Sequence, residues 1–188
     1  MPSRTQYYTA ATLDGFIADE HHSLDWLYQV PEPGNEDYPA FIARVGALAM
    51  GASTYEWVLR HSILPGADHP TPWPYEQPTW VFTHHDIQSV PGADIRFVHG
   101  DVGPVHRDMR AAAGDRNIWV VGGGDLVGQF HDAGLLDEII VTIASVTLGA
   151  GKPLLPRRIP SSSLKLTSTE RLNAGFVQLR YDVSHAGP

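Results

Sequence analysis

The sequence predicts one α/β domain over residues 1–188, with helices on both faces of a mostly parallel sheet. Apolar strand-like runs alternate with helical segments along most of the chain, which is the order typical of parallel sheets. Residues 163–184 depart from that order as a predicted hairpin and add an antiparallel edge. A hydrophobic content of 43% in 188 residues is sufficient to fill a core.

The chain opens with a predicted strand at residues 6–12 (QYYTAAT), which is rich in β-branched and aromatic residues. Asp14-Gly15 follows it, and this pair is typical of tight turns. A helix is predicted over residues 35–45, because Asn35 can cap its first turn and apolar residues recur behind it at helical spacing.

The next predicted elements are a buried strand, a helix and a loop. Residues 46–51 form an apolar run bounded by glycines, which indicates the strand. The helix is predicted at residues 53–60, where Ser53 and Glu56 have the spacing of a capping box. Residues 61–78 contain many prolines and little periodicity, so we expect a Pro-rich surface loop inside the domain.

The second half of the chain continues the alternation of strands and helices. Its predicted elements are strands at 79–85 and 93–99, a helix at 104–114, a strand at 117–124, a helix at 125–134, a strand at 136–148 and the hairpin at 163–184, which turns at 173–175.

Composition limits the classes of partner. Thirteen Lys and Arg against 21 Asp and Glu give a formal charge of −8, which disfavours nucleic acid. The chain has no cysteine, so disulfides, thiolate catalysis and thiolate metal sites are excluded. Its beginning lacks the apolar core of a signal peptide, and no long apolar run predicts a membrane span. We expect a cytoplasmic protein with no membrane partner.

Three consecutive glycines, Gly122, Gly123 and Gly124, stand between an apolar strand and a predicted helix in the stretch WVVGGGDLVGQF. Glycine allows a ligand or another part of the chain to approach the backbone closely. Free N–H groups and the dipole at the start of a helix favour an anion such as a phosphate. The spacing matches neither the Rossmann fingerprint nor a P-loop. A tight turn needed only for packing is the alternative interpretation.

Residues 118–156 (IWVVGGGDLVGQFHDAGLLDEIIVTIASVTLGAGKPLLP) resemble the C-terminal reductase domain of bifunctional riboflavin-biosynthesis deaminase–reductases, and more broadly the dihydrofolate reductase-like family. Further matching stretches follow in the expected order: 11–27 (ATLDGFIADEHHSLDWL), 47–58 (ALAMGASTYEWV), 79–85 (TWVFTHH) and the C-terminal hairpin. The resemblance implies a dihydrofolate reductase-like three-layer fold. It also implies NADPH as cofactor and a cis peptide bond between Gly122 and Gly123 beside it.

The resemblance also assigns residues to the site. Those implied to bind the cofactor are Ala11, Ile17, Gly51, Ser53, Thr54, Thr83, His84, Gly122, Gly123, Gly124, Asp125 and Leu126. The implied catalytic residues are Asp25, near the family's acidic proton-relay position, and Thr142, which matches a threonine of the substrate pocket. A simpler interpretation of Asp25 is a residue at the start of a helix that Ser23 caps.

The sequence departs from the family at two cofactor positions, because Ala52 and Asp125 stand where relatives carry arginine beside the phosphates. His84 or His85 could supply part of the missing positive charge when protonated. NADPH is the expected cofactor, and NADH is the alternative.

Together these features predict an NADPH-dependent reductase that transfers hydride to a pterin-, pyrimidine- or imine-like small molecule. The alternative is a catalytically inactive ligand-binding or regulatory protein on the same fold. The ten histidines show no metal-binding spacing, so we expect no metal. The long C-terminal strands could pair across a two-fold axis, which predicts a homodimer.

Overall fold

The structure is a computed structural model that describes residues 3–30, 37–63 and 71–185. Its strands are β1 (Thr5–Thr12), β2 (Phe16–Ala18), β3 (Val45–Gly51), β4 (Thr79–Phe82), β5 (Ile95–Val98), β6 (Asn117–Gly122), β7 (Glu138–Ala144), β8 (Lys152–Pro153), β9 (Leu164–Arg171) and β10 (Phe176–Val183). Its α-helices are α1 (Asp25–Tyr28), α2 (Tyr38–Ile42), α3 (Ala52–Val58), α4 (Val102–Ala113) and α5 (Gly124–Asp132).

Eight strands form the central sheet in the order β5-β4-β3-β6-β1-β7-β10-β9. The strands from β5 to β7 in that order are parallel, and β10 and β9 run antiparallel as a hairpin. Asn173 closes the hairpin turn, because its side-chain oxygen accepts the backbone N–H groups of Gly175 and Phe176 at 2.8 and 3.0 Å. Strands β2 and β8 form a separate two-stranded ribbon.

Successive side chains of each strand point to opposite faces of the sheet, and each face has its own core. Tyr7 lies in a core that packs against α4 and α5, whereas Tyr8 lies in a core with residues of α2 and α3. Strand β6 alternates in the same way: Ile118 and Val120 enter the first core, and Trp119 enters the second. This arrangement confirms the predicted three-layer α/β fold with its antiparallel hairpin.

Several predicted boundaries were wrong. Within the helix predicted at 35–45 the structure has only the shorter helix α2, and Val45 already belongs to β3. Asn35 lies outside the described residues. Helix α3 begins one residue before Ser53, with Gly51 as N-cap and no capping side chain. The capping box is therefore absent, and Glu56 instead contacts His85.

Other differences concern ends of elements. The strand predicted at 136–148 ends at Ala144, and the loop predicted at 61–78 begins with the last residues of a π-helical turn, Leu59–Ile63. Residues 71–78 contain neither helix nor strand, and 64–70 lie outside the described residues. Over the described part of the chain, no helix has the length and apolar character needed to cross a membrane.

Candidate functional site

A cleft opens at the carboxyl ends of the parallel strands β3, β4 and β6. It consists of a smaller cavity of about 250 Å³ and a larger one of about 830 Å³. The two share Ser53, Thr54, Gly123 and Asp125 in their walls, so they form one continuous site. Ligands bind at such strand ends in many open α/β sheets.

The smaller cavity lies between the first turns of α3 and α5. Its wall consists of Gly51, Ala52, Ser53, Thr54, Phe82, Thr83, His84, His99, Gly100, Gly123, Asp125, Leu126 and Gln129. Gly51 and Gly123 are the N-caps of the two helices, and neither helix start has a side-chain cap. The first-turn N–H groups of α5 therefore have no side-chain acceptor at this wall, which suits an anionic ligand.

The three glycines serve three different purposes. The peptide bond between Gly122 and Gly123 is cis, as expected from the resemblance. A Cβ at Gly123 would meet no atom within 4 Å, so this residue faces open space in the cleft. A Cβ at Gly124 would lie 2.3 Å from the Pro153 carbonyl oxygen and 2.6 Å from that of Leu154. Gly124 is thus required by the close approach of another chain segment.

Asp125, the unexpected acidic residue beside the glycines, pairs with a cation that it shares with Asp132. Arg157 Nη1 lies 3.0 Å from Asp125 Oδ1, and Arg157 Nε lies 2.7 Å from Asp132 Oδ2. The guanidinium crosses α5 at Gly128, where a Cβ would be 2.5 Å from Arg157 Cζ. A hydrogen bond from Gln129, with Arg157 second, lowers the pKa of Asp125. The negative charge of Asp125 is therefore partly offset, because Arg157 also serves Asp132.

The larger cavity has two chemically different ends. The glycine end, defined by Ser53, Thr54 and Gly122–Gly124, adjoins the smaller cavity. The aromatic end is defined by Tyr8, Tyr38, Tyr75, Trp119 and Thr142. Its rings contact one another, with Tyr38 and Tyr75 centroids 6.0 and 5.8 Å from that of Trp119.

A polar network lies behind the aromatic end. The Tyr8 hydroxyl donates to Asp37 Oδ1 at 2.8 Å, and Arg180 Nη2 lies 2.9 Å from Asp37 Oδ2. Gln178 Nε2 donates to Asp37 Oδ2 at 3.0 Å and makes a long contact of 3.5 Å with Thr142 Oγ1. Burial, with the hydrogen bond to Asp37 second, raises the pKa of Tyr8. The network links Tyr8 and Thr142, two cavity hydroxyls, through one charge-balanced pair.

The structure brings all but two of the predicted site residues to the cleft. Thr83 and His84 line the smaller cavity, and Ile17 and Thr142 line the larger one. Ala11 is instead buried in the core on the opposite face of the sheet. Asp25 is exposed and belongs to neither cavity wall; its backbone N–H donates a hydrogen bond to Ser23 Oγ at 3.0 Å, although Leu24 is the N-cap of α1.

Sequence reasoning missed most of the aromatic end. Trp119 could have been found, because side chains alternate along its predicted strand. Trp119 therefore shares a face with Val121 and lies opposite to Ile118 and Val120. Asp37, Gln178 and Arg180 carry no local signal, since they meet only when α2 and β10 pack together. His99 and Gly100 reach the smaller cavity from the end of β5. Among the described residues, no cluster of three His, Asp or Glu could hold a metal ion.

Fold and cleft together define a protein of the dihydrofolate reductase-like architecture. The model of the RibD C-terminal domain family matches residues 68–178, and the chain belongs to this family. It is 33% identical over 183 residues to an uncharacterized protein, YwjB, of Bacillus subtilis (strain 168), covering 96% of this chain and 98% of that protein.

Two solved structures have the same fold. A putative riboflavin biosynthesis protein from Shewanella sp. PV-4 is 28% identical, with a TM-score of 0.79 and coverage of 97% of this chain and 99% of that chain. Dihydrofolate reductase from Enterococcus faecalis, complexed with NADP(H), is 16% identical, with a TM-score of 0.64 and 97% coverage of both chains. At that identity the second likeness concerns the fold alone.

Proposed function

We propose that this protein is an NADPH-dependent reductase that transfers hydride to a small heterocycle or imine in the larger cavity. The observation that carries the proposal is the continuous two-part cleft, whose walls contain nearly all the residues that the family resemblance assigns to cofactor and substrate. Family membership supports a reductase-type activity, and the similarly folded dihydrofolate reductase is complexed with NADP(H).

The residues of the cleft fit a dinucleotide cofactor. Gly123 leaves open space where any other residue would place a side chain. The smaller cavity offers hydroxyl and imidazole groups from Thr83, His84 and His99. Arg157 pairs with both Asp125 and Asp132, so it offsets only part of the negative charge beside a diphosphate. In this proposal the phosphates lie along Ser53, Thr54 and Gly123, and the nicotinamide lies at the glycine end of the larger cavity.

The protein's contribution to catalysis is positioning and exclusion of water. A bound nicotinamide cofactor would supply hydride to a C=N or C=C–N bond. Apolar side chains such as Trp26, Leu27 and Phe176 line the cavity and keep water from it. The Tyr8 hydroxyl directs its hydrogen to Asp37, so its lone pairs can accept from a substrate N–H. Thr142 Oγ1 can donate to a ring nitrogen or carbonyl beside it.

The source of the proton for the substrate nitrogen is still a prediction. Asp25 is the candidate from the family resemblance, but its side chain is exposed outside the cavity wall. Asp125 is the carboxylate in the described wall, and its lowered pKa makes it a poor acid. Thr142 is therefore the group that we expect to hydrogen-bond the reacting nitrogen.

The homodimer and the cytoplasmic location are also still predictions.

Cofactor binding can be measured directly. We expect titration with NADPH to quench tryptophan fluorescence saturably, with energy transfer to the nicotinamide, because Trp26 and Trp57 line the larger cavity. NADH should bind more weakly if His84 and His99 contact the 2′-phosphate. No saturable binding of either cofactor at millimolar concentration would contradict the proposal.

A catalytically inactive ligand-binding protein on the same fold is the second candidate. The absence of arginine at Ala52 and Asp125 favours it, because the cofactor's phosphates then lack their usual cations. NADPH binding without NADPH oxidation over a panel of pterins, pyrimidines and imines would support this alternative.

A further inference from the structure

The aromatic end of the larger cavity presents flat apolar faces. The Tyr8 and Trp119 centroids are 6.2 Å apart, and Tyr38 and Tyr75 continue the same group of rings. The polar atoms of two of these rings already have protein partners: the Trp119 indole N–H donates to the Tyr8 carbonyl at 3.0 Å, and the Tyr8 hydroxyl donates to Asp37. The planes of Tyr8 and Trp119 are inclined at 61°, and Tyr8 also stacks on Phe41, so a planar ligand ring can contact these rings edge to face or stack on one of them.

This end of the cavity also lacks an available positive charge. Among the described residues that line the larger cavity, Lys152 is the one lysine, and there is no arginine. Residues 31–36 and 64–70, which are not described, contain neither lysine nor arginine in the sequence. Arg180 lies behind the wall, but its guanidinium is committed to Asp37 and Gln178 at 2.9 and 3.0 Å. The pair contributes no net charge.

Lys152 belongs to the glycine end. It pairs in register with Ala18, and the next residue, Pro153, places its carbonyl oxygen against Gly124. His22 lies near it, since burial and then the charges of Lys152 and Arg60 lower the pKa of this histidine. The lysine of the described cavity wall thus lies at the glycine end, where the proposed nicotinamide is placed, and not at the aromatic end.

The polar groups that remain at the aromatic end are uncharged. Thr142 is a hydroxyl, and burial raises the pKa values of Tyr8, Tyr38 and Tyr75, so these phenols keep their protons. A phosphate ester placed here would lose its hydration without gaining a cation, which is unfavourable. A neutral ring with an N–H and a carbonyl or ring nitrogen would find an acceptor and a donor instead.

We propose that the substrate of this protein is a neutral, planar conjugated ring without a phosphate group, packed against Tyr8 and Trp119 and hydrogen-bonded by Thr142. This inference rests on the proposed reductase function and narrows its substrate class. It separates this chain from reductases whose substrate carries a phosphate, because a buried phosphate needs a cation and the described aromatic end offers none.

Paired probes test the proposal by calorimetric titration of the full chain. The pairs are riboflavin with riboflavin 5′-phosphate, and a ribitylaminouracil with its 5′-phosphate, each with and without saturating NADP⁺ so that no turnover occurs. We expect the unphosphorylated member of at least one pair to bind at least about tenfold more tightly. Its affinity should not change between low and high salt, because no ion pair forms.

The Thr142→Val variant tests the polar contact, since valine keeps the shape and removes the hydroxyl. We expect its affinity for the unphosphorylated probe to fall about tenfold while NADP⁺ affinity is retained. Equal or tighter binding of the phosphorylated members, or no binding of any neutral member, would overturn the proposal. Failure of the reductase function has a different signature: NADPH would not bind in the absence of any probe, whereas ring binding without cofactor would be unaffected.

Discussion

The two ends of the cleft are built from different parts of the chain. At the glycine end the wall is mainly backbone: Gly122, Gly123 and Gly124 and the starts of α3 and α5. At the aromatic end the wall is made of side chains from β1, β6, β7 and α2, supported from behind by the Asp37–Arg180 pair. The first end holds the proposed cofactor, and the second holds the proposed substrate.

This difference has consequences for variation. A backbone wall depends on small residues at fixed places in one short segment, so single substitutions there disturb packing or fill the cleft. A side-chain wall can change by repacking several positions while the sheet is preserved. We therefore expect relatives of this fold to share the cofactor and to differ in the substrate.

The largest expected effect is at Gly124. The Gly124→Ala variant places Cβ against two backbone carbonyl oxygens, at 2.3 and 2.6 Å, and backbone yields less readily than a flexible side chain. We expect the free energy of unfolding in urea to fall by about 3 kcal/mol. The matched control is Gly103→Ala in α4, where a Cβ meets nothing within 4 Å. Equal stability of the two variants would show that segment 153–154 does not require this glycine.

The next largest effect is at the support of the aromatic end. The Asp37→Asn variant leaves the Arg180 guanidinium without its carboxylate, and the two side chains are only 25% and 31% exposed. We expect a loss of about 1–2 kcal/mol in unfolding free energy, together with weaker binding of neutral rings. The control is Asp94→Asn, whose pair with Arg96 is about half exposed and should contribute less than about 0.5 kcal/mol. Similar losses in both variants would remove the special role of Asp37.

A smaller effect is expected at the compensating cation of the glycine end. The Arg157→Met variant leaves Asp125 unpaired, so the dissociation constant of NADPH should rise about fivefold at low salt. Adding Asp125→Asn should restore most of the affinity, because the repulsive charge is then removed. The neighbouring Arg158→Met variant carries the same change in net charge and controls for it. An unchanged dissociation constant in Arg157→Met would mean that Asp125 does not face the phosphates.

The ion pairs of Arg157 with Asp125 and Asp132 predict a pH dependence of stability. Hydrogen bonds lower the pKa values of Asp125, chiefly through Gln129 and then Arg157, and of Asp132, chiefly through Arg157. A carboxyl group with a lowered folded-state pKa stabilises the fold above its unfolded pKa, and this contribution disappears as the pH falls through the folded value. The difference in Tm between wild type and Arg157→Met should thus shrink below about pH 4. A constant difference down to pH 2 would contradict this assignment.

The smallest effect is expected at Asp25. Its side chain is exposed and outside the cavity wall, so the turnover of Asp25→Asn should stay within about twofold of wild type at every pH. A loss of about tenfold with unchanged NADPH affinity would instead support the role that the family resemblance implies. Thr142→Val, measured in parallel, shows how turnover responds when a hydroxyl of the cavity wall is removed.

The accuracy of the sequence-based prediction differs between the same two ends. The glycine triplet, Ser53, Thr54 and Thr83 were found because they lie in contiguous motifs at strand ends. Tyr8, Tyr38 and Tyr75 were not, because each lies in a separate segment and nothing local indicates that their rings meet. Asp125 was an isolated anomaly in the sequence until Arg157, 32 residues away, was seen to pair with it.

The sequence alone determined the α/β class, the helices on both faces of the sheet and the position of the glycine-rich candidate site, since periodicity and glycine punctuation are local properties of the chain. Only the tertiary structure decided which glycine faces the open cleft and which packs against segment 153–154. It also decided that Asp25 points away from the cleft and that Asp37 supports it. These outcomes depend on contacts between residues far apart in the chain, whose geometry no local pattern specifies.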